Sequence, residues 1–295
     1  MLLVYKRQTK LRFIKGLPPH RLIFLHSAIL IMVISLFCSS AFGSYITLAT
    51  GFSVIEKSGE LMLVVIAENQ GDEPAYALHS EVIIDSVARV GTLLKILGVN
   101  EKTSTEYSLA NVFGSPGRYI LVIRTYYEDA NGYRFTALTA GSYDYKSTVV
   151  PSVSISGGAT EIPLDGRGKL KFVLRNDGST GLKIDLALFL PSELSAVDEQ
   201  SNIELGPHQE AVVIYDLENY SANANSSYPV SLVGRYEQDG IRLGITGSAV
   251  VRIAESHELE ARPVWIWIVL GGLLPGVLVF LLLRSNKRGS REHQN

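Results

Sequence analysis

The residues in this chain able to do acid–base, nucleophilic or metal chemistry are few and scattered. His20, His26, His79, His208, His257 and His293 each stand apart, none with a second histidine at metal-ligand spacing. The single cysteine, Cys38, lies in an apolar N-terminal segment, which leaves the rest of the chain without a thiol nucleophile, a disulfide or a thiolate metal site. No Gly-x-Ser-x-Gly elbow, Walker loop or zinc-protease helix motif occurs. Asp165-Gly166-Arg167-Gly168 is glycine-rich, but no helix pattern follows to bind phosphate, and it reads as a hairpin turn. Glu193 with Asp198-Glu199, and separately Glu128-Asp129-Ala130-Asn131-Gly132, hold carboxylates that a calcium site would need to converge. The second stretch reads better as a hairpin whose tight turn is Asn131-Gly132. The expectation is a chain with no catalytic residues, no metal and no cofactor, and therefore not an enzyme.

Aromatic chemistry is richer. Tyr126, Tyr127, Tyr133, Phe135, Tyr143 and Tyr145 flank the Asn131-Gly132 turn. Strand alternation puts Tyr127 inward with Tyr119, Leu121 and Ile123, and Tyr126 outward with Arg124. Outward aromatics beside arginine suit a binding patch for protein or sugar, so Arg124, Tyr126, Tyr133 and Phe135 are the candidate partner-binding residues. The competing reading is cross-strand aromatic pairing, which stabilises a sheet by ~0.2–1 kcal/mol per pair.

The elements that carry these residues are short β-rich runs separated by Gly, Asn, Asp and Pro. They cover 61–67, 81–85, 119–127 and 133–139, and then 169–175, 182–190, 210–215, 228–236 and 241–253. No long amphipathic helix interrupts them, and residues 220–227, rich in Ser and Asn, form a loop. Two acceptor patterns for N-glycosylation, Asn219-Tyr220-Ser221 and Asn225-Ser226-Ser227, fall there.

The two groups of strands repeat each other. Asn69-Gln70-Gly71 pairs with Asn176-Asp177-Gly178, Leu97-Gly98 with Leu205-Gly206, and Tyr119 with Tyr228. Tyr127-Glu128 pairs with Tyr236-Glu237, and Gly141-Ser142 with Gly247-Ser248. The offset stays at about 106–109 residues throughout, which predicts two units of one fold. In Asn-x-Gly the asparagine caps its own backbone and the glycine is expected at positive φ. A tyrosine opening a late strand predicts a tyrosine corner. Pro151 marks the boundary, where it would end a strand and restrict pairing between the two units.

Topology is written at both ends. Residues 1–21 hold six basic side chains and no acidic one, an apolar run follows over 22–37, and Ala41 and Gly43 are spaced as for cleavage before Ser44. This is a secretory signal, or an uncleaved signal anchor. An uninterrupted apolar run from Val264 to Leu283, opened by Trp265 and Trp267, matches a membrane span and makes the lipid bilayer a partner. Arg284, Lys287, Arg288 and Arg291 after it place the tail inside and residues 44–263 outside. A net charge of −2 gives no bias toward nucleic acid.

The expected organisation is mainly β. A signal segment (1–43) precedes two tandem immunoglobulin-like β-sandwiches (44–149 and 150–256). A linker (257–263), one C-terminal transmembrane helix (264–283) and a basic cytoplasmic tail (284–295) follow.

The segment Val65-Ile66-Ala67-Glu68-Asn69-Gln70-Gly71-Asp72-Glu73-Pro74-Ala75-Tyr76 resembles the opening of CARDB-like and NEW3-like domains of prokaryotic envelope proteins. Pro116-Gly117-Arg118-Tyr119, followed by Tyr127-Glu128-Asp129-Ala130-Asn131-Gly132, resembles their later strand and turn. The second unit keeps Asn176-Asp177-Gly178 but has Ser227-Tyr228-Pro229 in place of Pro-Gly-x-Tyr. The resemblance implies immunoglobulin-like sandwiches in tandem ahead of a membrane helix, with an adhesive or scaffolding role. The chain is thus expected to be a single-pass cell-membrane protein that meets another envelope protein or a glycan. The alternatives are a carbohydrate-binding surface protein and an accessory subunit of a transporter or secretion complex.

Overall fold

The computed structural model describes residues 45–85, 87–197 and 201–255. The signal segment, Asp198-Glu199, His257, the linker, the membrane span and the basic tail fall outside the described residues. Among the described residues no helix is long and apolar enough to cross a membrane.

Everything regular in the described chain is strand. The first group comprises β1 (Leu48–Lys57), β2 (Glu60–Asn69), β3 (Ala75–Ile84), β4 (Val87–Val90), β5 (Leu94–Leu97), β6 (Lys102–Ser108), β7 (Gly117–Glu128) and β8 (Arg134–Tyr145). The second comprises β9 (Val153–Gly157), β10 (Ala159–Pro163), β11 (Arg167–Asn176), β12 (Leu182–Phe189), β13 (Leu194–Ala196), β14 (Asn202–Leu205), β15 (Glu210–Asn219), β16 (Ser227–Gln238) and β17 (Ile241–Ala254).

In the first sandwich, β1-β2-β6 faces a sheet in which β3 carries β4 and β5 on one edge and pairs β7, which pairs β8. In the second, β13-β15-β11-β9 faces β14-β12-β16-β17, with β10 running parallel to the end of β17. Each is a Greek-key pair of antiparallel sheets, the immunoglobulin-like arrangement. Alternation explains the cores. Leu63 and Val65 of β2 point in to meet Val82, Leu121 and Ile123, while Met62, Val64 and Ile66 are only half-buried on the outer face. Phe172, Leu174, Ile184, Val213, Leu232 and Val251 form the second core. Each such side chain contributes ~1.5–3 kcal/mol by leaving water.

The internal repeat reaches individual hydrogen bonds. Asn69 is wholly buried: its Nδ2 donates to the Glu73 and Leu97 carbonyls (2.7 and 3.3 Å), and its Oδ1 accepts from Gly71 N–H at 3.0 Å. Asn176, equally buried, donates to the Thr180 and Gly206 carbonyls (2.8 and 2.9 Å) and accepts from Gly178 N–H at 2.9 Å. Both tyrosine corners form. The Tyr119 hydroxyl donates to the Ser115 carbonyl at 2.8 Å, and the Tyr228 hydroxyl accepts from Asn223 N–H at 3.0 Å.

Three local expectations are corrected. Gly71 is not among the glycines at positive φ. It is needed for closeness, because a Cβ there would lie 2.4 Å from the Tyr45 carbonyl oxygen of the incoming chain. Asp165–Gly168 is not a hairpin: β10 pairs β17 and β11 pairs β9 and β15, so the turn carries the chain from one sheet to the other. At Asn131-Gly132 only Gly132 has positive φ (80°), closing a three-residue loop whose Asp129 carboxylate accepts from Asn131 and Tyr133 N–H.

The largest departure concerns how the sandwiches meet. They belong to one compact unit. The chain passes between them after Tyr145, yet the sheets pair elsewhere, through parallel contacts of Arg242 and Leu243 on β17 with Gly117 and Arg118 on β7. One ten-stranded sheet therefore runs through both sandwiches. Proline at 151 does not prevent this, because the joining strands are β7 and β17, whereas Pro151 lies between β8 and β9. Glycine permits the approach: a Cβ on Gly117 would sit 2.5 Å from the Arg242 carbonyl oxygen, and one on Gly244 would sit 2.7 Å from Ile120.

Candidate functional site

The four candidate patch residues separate onto different surfaces. Phe135 lies directly opposite Tyr127 across the β7–β8 ladder and stacks on it, centroids 5.5 Å apart, against the first core. It belongs to the inner face and realises the cross-strand aromatic pairing. Tyr133 stands at the hairpin tip, 68% exposed. Arg124 and Tyr126 share the outer face, as alternation requires. The Tyr126 hydroxyl donates to Glu81 at 3.1 Å, and its ring stacks on His79 at 5.2 Å. Burial raises the Tyr126 phenol, the Glu81 carboxylate adds to this, and Arg124 opposes it.

Arg124 does not face solvent freely. Its guanidinium lies 3.8 Å from the Glu81 carboxylate and sits 5.5 Å over the ring of Phe189 from the second sandwich. The outer face of β7 is thus where the second sandwich docks. Ile120, Val122 and Leu138 of the first sandwich are buried against Phe189 and Val233 of the second. A signal for this was present. The run Tyr119–Ile123 is apolar on both faces, which marks a strand covered on both sides.

Two polar clusters fix this seam. Asp85 receives Arg242 at 2.5 Å and Arg235 at 3.6 Å, and Arg235 also donates to the Asp85 carbonyl at 3.0 Å. Burial lowers the Arg235 guanidinium and the Asp85 carboxylate counters it. Arg242 also lies 5.4 Å over the Tyr119 ring. The second cluster is Glu193, 1% exposed, between Tyr127 and Tyr228. Its Oε1 accepts from the Thr136 N–H of β8 at 3.0 Å, and its Oε2 accepts from the Ser192 hydroxyl at 3.1 Å. That N–H would otherwise be an open edge group of β8. Glu193, which the sequence sets beside Asp198-Glu199 as a candidate calcium carboxylate, is a buried structural acceptor. Nothing in the residue's sequence neighbourhood signals this, since Thr136 is distant in the chain.

Burial raises the Glu193 carboxyl above its ordinary value, and the hydrogen bonds from Thr136 and Ser192 partly offset this. A carboxyl raised in the fold holds its proton more tightly there than in the unfolded chain, so stability falls as pH rises from the ordinary carboxyl value through the raised one. Replacing Glu193 with Gln is therefore expected to flatten that part of the melting-temperature profile. Thermal melts of both proteins between mildly acidic and neutral pH check this, and parallel profiles would refute it.

The remaining candidates are placed as follows. His208 is exposed at a turn with φ 52°. Among the described residues no three His, Cys, Asp or Glu side chains converge as metal ligands. Asn219 uses its amide on Leu164, Ala222 and the Ala222 N–H (2.8, 3.1 and 2.7 Å), which makes it a loop brace, whereas Asn225 is exposed.

No family profile and no curated protein matches the chain. Among solved structures, a PapD-like domain of human CEP192 aligns at 11% identity, covering 39% of this chain and 96% of its own, with TM-score 0.29. The periplasmic chaperone SfaE aligns at 12% identity over 71% of this chain and all of its own, with TM-score 0.28. Alpha-2-macroglobulin of Escherichia coli aligns at 9% identity over 70% of this chain and 17% of its own, with TM-score 0.28. Likenesses this distant do not bear on activity, and the sandwich assignment stands on the strand order above.

Proposed function

We propose that this chain is a non-catalytic, membrane-anchored scaffolding or interaction protein of the cell envelope. The signal segment exports residues 44–256, the span 264–283 holds them at the outer face of the membrane, and the basic tail stays inside. The CARDB-like and NEW3-like resemblance belongs to the same reading.

The observation that supports it is the seam. Independent modules on a linker reorient freely, whereas these sandwiches share a sheet, an apolar contact and two polar clusters. A fixed orientation serves a protein that spaces or presents surfaces. The carbohydrate reading is weakened, because Arg124 covers Phe189, Phe135 stacks on Tyr127, and Tyr126 stacks on His79.

The test combines topology with capture in a Cys38→Ser background. In intact cells, Tyr133→Cys is expected to react with a membrane-impermeant maleimide and Ser285→Cys is not. The reverse pattern overturns the topology. A photo-crosslinking residue at Tyr133 and others over the sandwiches is expected to yield a discrete protein adduct in native membranes. Turnover of a substrate, or no adduct from any position, overturns the scaffold.

A further inference from the structure

The outer face of the first sandwich's larger sheet is only half covered. Along β3 and β7 the rows at Ile83, Val122 and Ile120 lie under Phe189 and Val233 of the second sandwich. The neighbouring rows carry His79, Tyr126, Tyr76 and Glu81, and end at the edge formed by β4 and β5. In that ladder Val90 stands opposite Glu81, and Ile96 opposite Tyr76, so both share the face of the seam. Val90, Leu93 and Ile96 are 67%, 62% and 53% exposed. This exposed apolar edge thus lies on the same face as an interface already built within the chain, with the row of Glu81, His79 and Tyr126 between them.

The edge is guarded only by its shortness and by the exposed Lys95. Among the described residues β4 and β5 pair only with β3, leaving a row of backbone groups available to another strand. Edges of this kind are normally guarded by outward charge or proline. The one charge on β4, Arg89, turns across to the other sheet and donates to the Ser108 carbonyl. Lys95 is the one charge on β5.

We propose that a second copy of this chain covers the open half, the β4–β5 edges of the two copies meeting antiparallel about a twofold axis. This deepens the scaffold reading, on which it rests, by naming the partner. Three observations favour a copy over other occupants. First, a twofold contact requires a self-complementary surface, and an antiparallel strand edge offers each N–H a carbonyl on its own duplicate. Second, a charged partner would find the nearby carboxylates in use: Glu81 by Arg124 and Tyr126, and Glu128 by Arg134 at 3.2 Å. Third, a sugar would find the Tyr126 ring already stacked on His79. A net charge of −2 per chain sets up little repulsion between copies.

The experiment uses the full chain in mild detergent, with sedimentation reading the oligomeric state. The wild type is expected to be a dimer at micromolar concentration. Val90→Lys with Ile96→Lys is expected to weaken it about tenfold or more, since lysines meeting across a twofold axis repel. Val90→Thr with Ile96→Thr gives a smaller loss in the same direction and covers the case in which the lysines disturb folding, which thermal melting monitors. Val212→Lys with Ile214→Lys, on an exposed apolar spot in the second sandwich, is expected to leave the dimer intact. A monomeric wild type overturns the proposal. So does a dimer that survives both β4–β5 variants, which would locate the contact in the membrane span. So does a dimer equally sensitive to the Val212 and Ile214 pair. A monomer that still gives adducts to another envelope protein in native membranes removes the dimer and leaves the scaffold reading standing.

Discussion

Replacing Gly117 with valine is expected to uncouple the two sandwiches without unfolding either. The added Cβ would fall 2.5 Å from a backbone oxygen, that of Arg242, which cannot rotate away as a side chain can. The strand must shift, and the first casualty is the parallel contact between β7 and β17 that makes one sheet of two. Overpacking of this kind costs roughly 1–3 kcal/mol. The cost extends to the seam, because Arg242 also reaches Asp85 and covers the Tyr119 ring. Gly117 touches only the rim of each core, through Tyr145 and Tyr119 on one side and Leu243 on the other, so most of each core is expected to survive the shift. Calorimetry is the measurement: a single transition in the wild type is expected to split into two in Gly117→Val. A variant that melts as one unit at the wild-type temperature would show that the joined sheet does not couple the sandwiches.

Asn69→Ala and Asn176→Ala are expected to be the most damaging truncations of a polar side chain, and nearly equal to each other. Each removes a side chain that satisfies three backbone groups inside the protein. A buried group left without a partner costs ~1–3 kcal/mol, so a loss of at least ~3 kcal/mol is expected from either change. Aspartate in the same place would still accept from the glycine N–H but would point an anion at two carbonyls, and so should not rescue. Chemical denaturation of the two alanine variants checks both magnitude and symmetry. A loss below ~1 kcal/mol in either would mean that water takes over the asparagine's role.

These asparagines also indicate what the sequence made readable. A strand followed by Asn-x-Gly, a leucine-glycine pair and a tyrosine opening a late strand are local patterns, and each maps onto one sandwich alone. Their repetition at a steady offset disclosed two copies of one fold. Asn69 and Asn176 each bond the carbonyl four residues on and a second carbonyl at the Leu-Gly pair, that of Leu97 in one copy and of Gly206 in the other. The short strands β4, β5, β10, β13 and β14 were not readable. Each is three to five residues long, too short to display a period of two.

The patch residues were half legible. Alternation placed Arg124 and Tyr126 outward, but outward in one sandwich is inward in the pair, and a single strand's periodicity carries no knowledge of a neighbouring domain. Phe135 was misplaced for a different reason: register across the hairpin depends on loop length, and the loop holds three residues where a two-residue Asn-Gly turn was expected. Glu193, Thr136, Asp85, Arg235 and Arg242 meet only in three dimensions, with no spacing rule to unite them.

The parallel pairing of β10 with the last five residues of β17 bears on how the protein responds to pulling. Ala159 through Pro163 run beside Val250 through Ala254, and the chain leaves the second sandwich just beyond. A load applied at Ala254 along the strand acts across this ladder in shear, so its hydrogen bonds share the force and must fail together. A strand peeled from a hairpin end gives up its bonds one at a time. The end of β17 is thus held in the geometry that resists pulling, by a ladder loaded in shear.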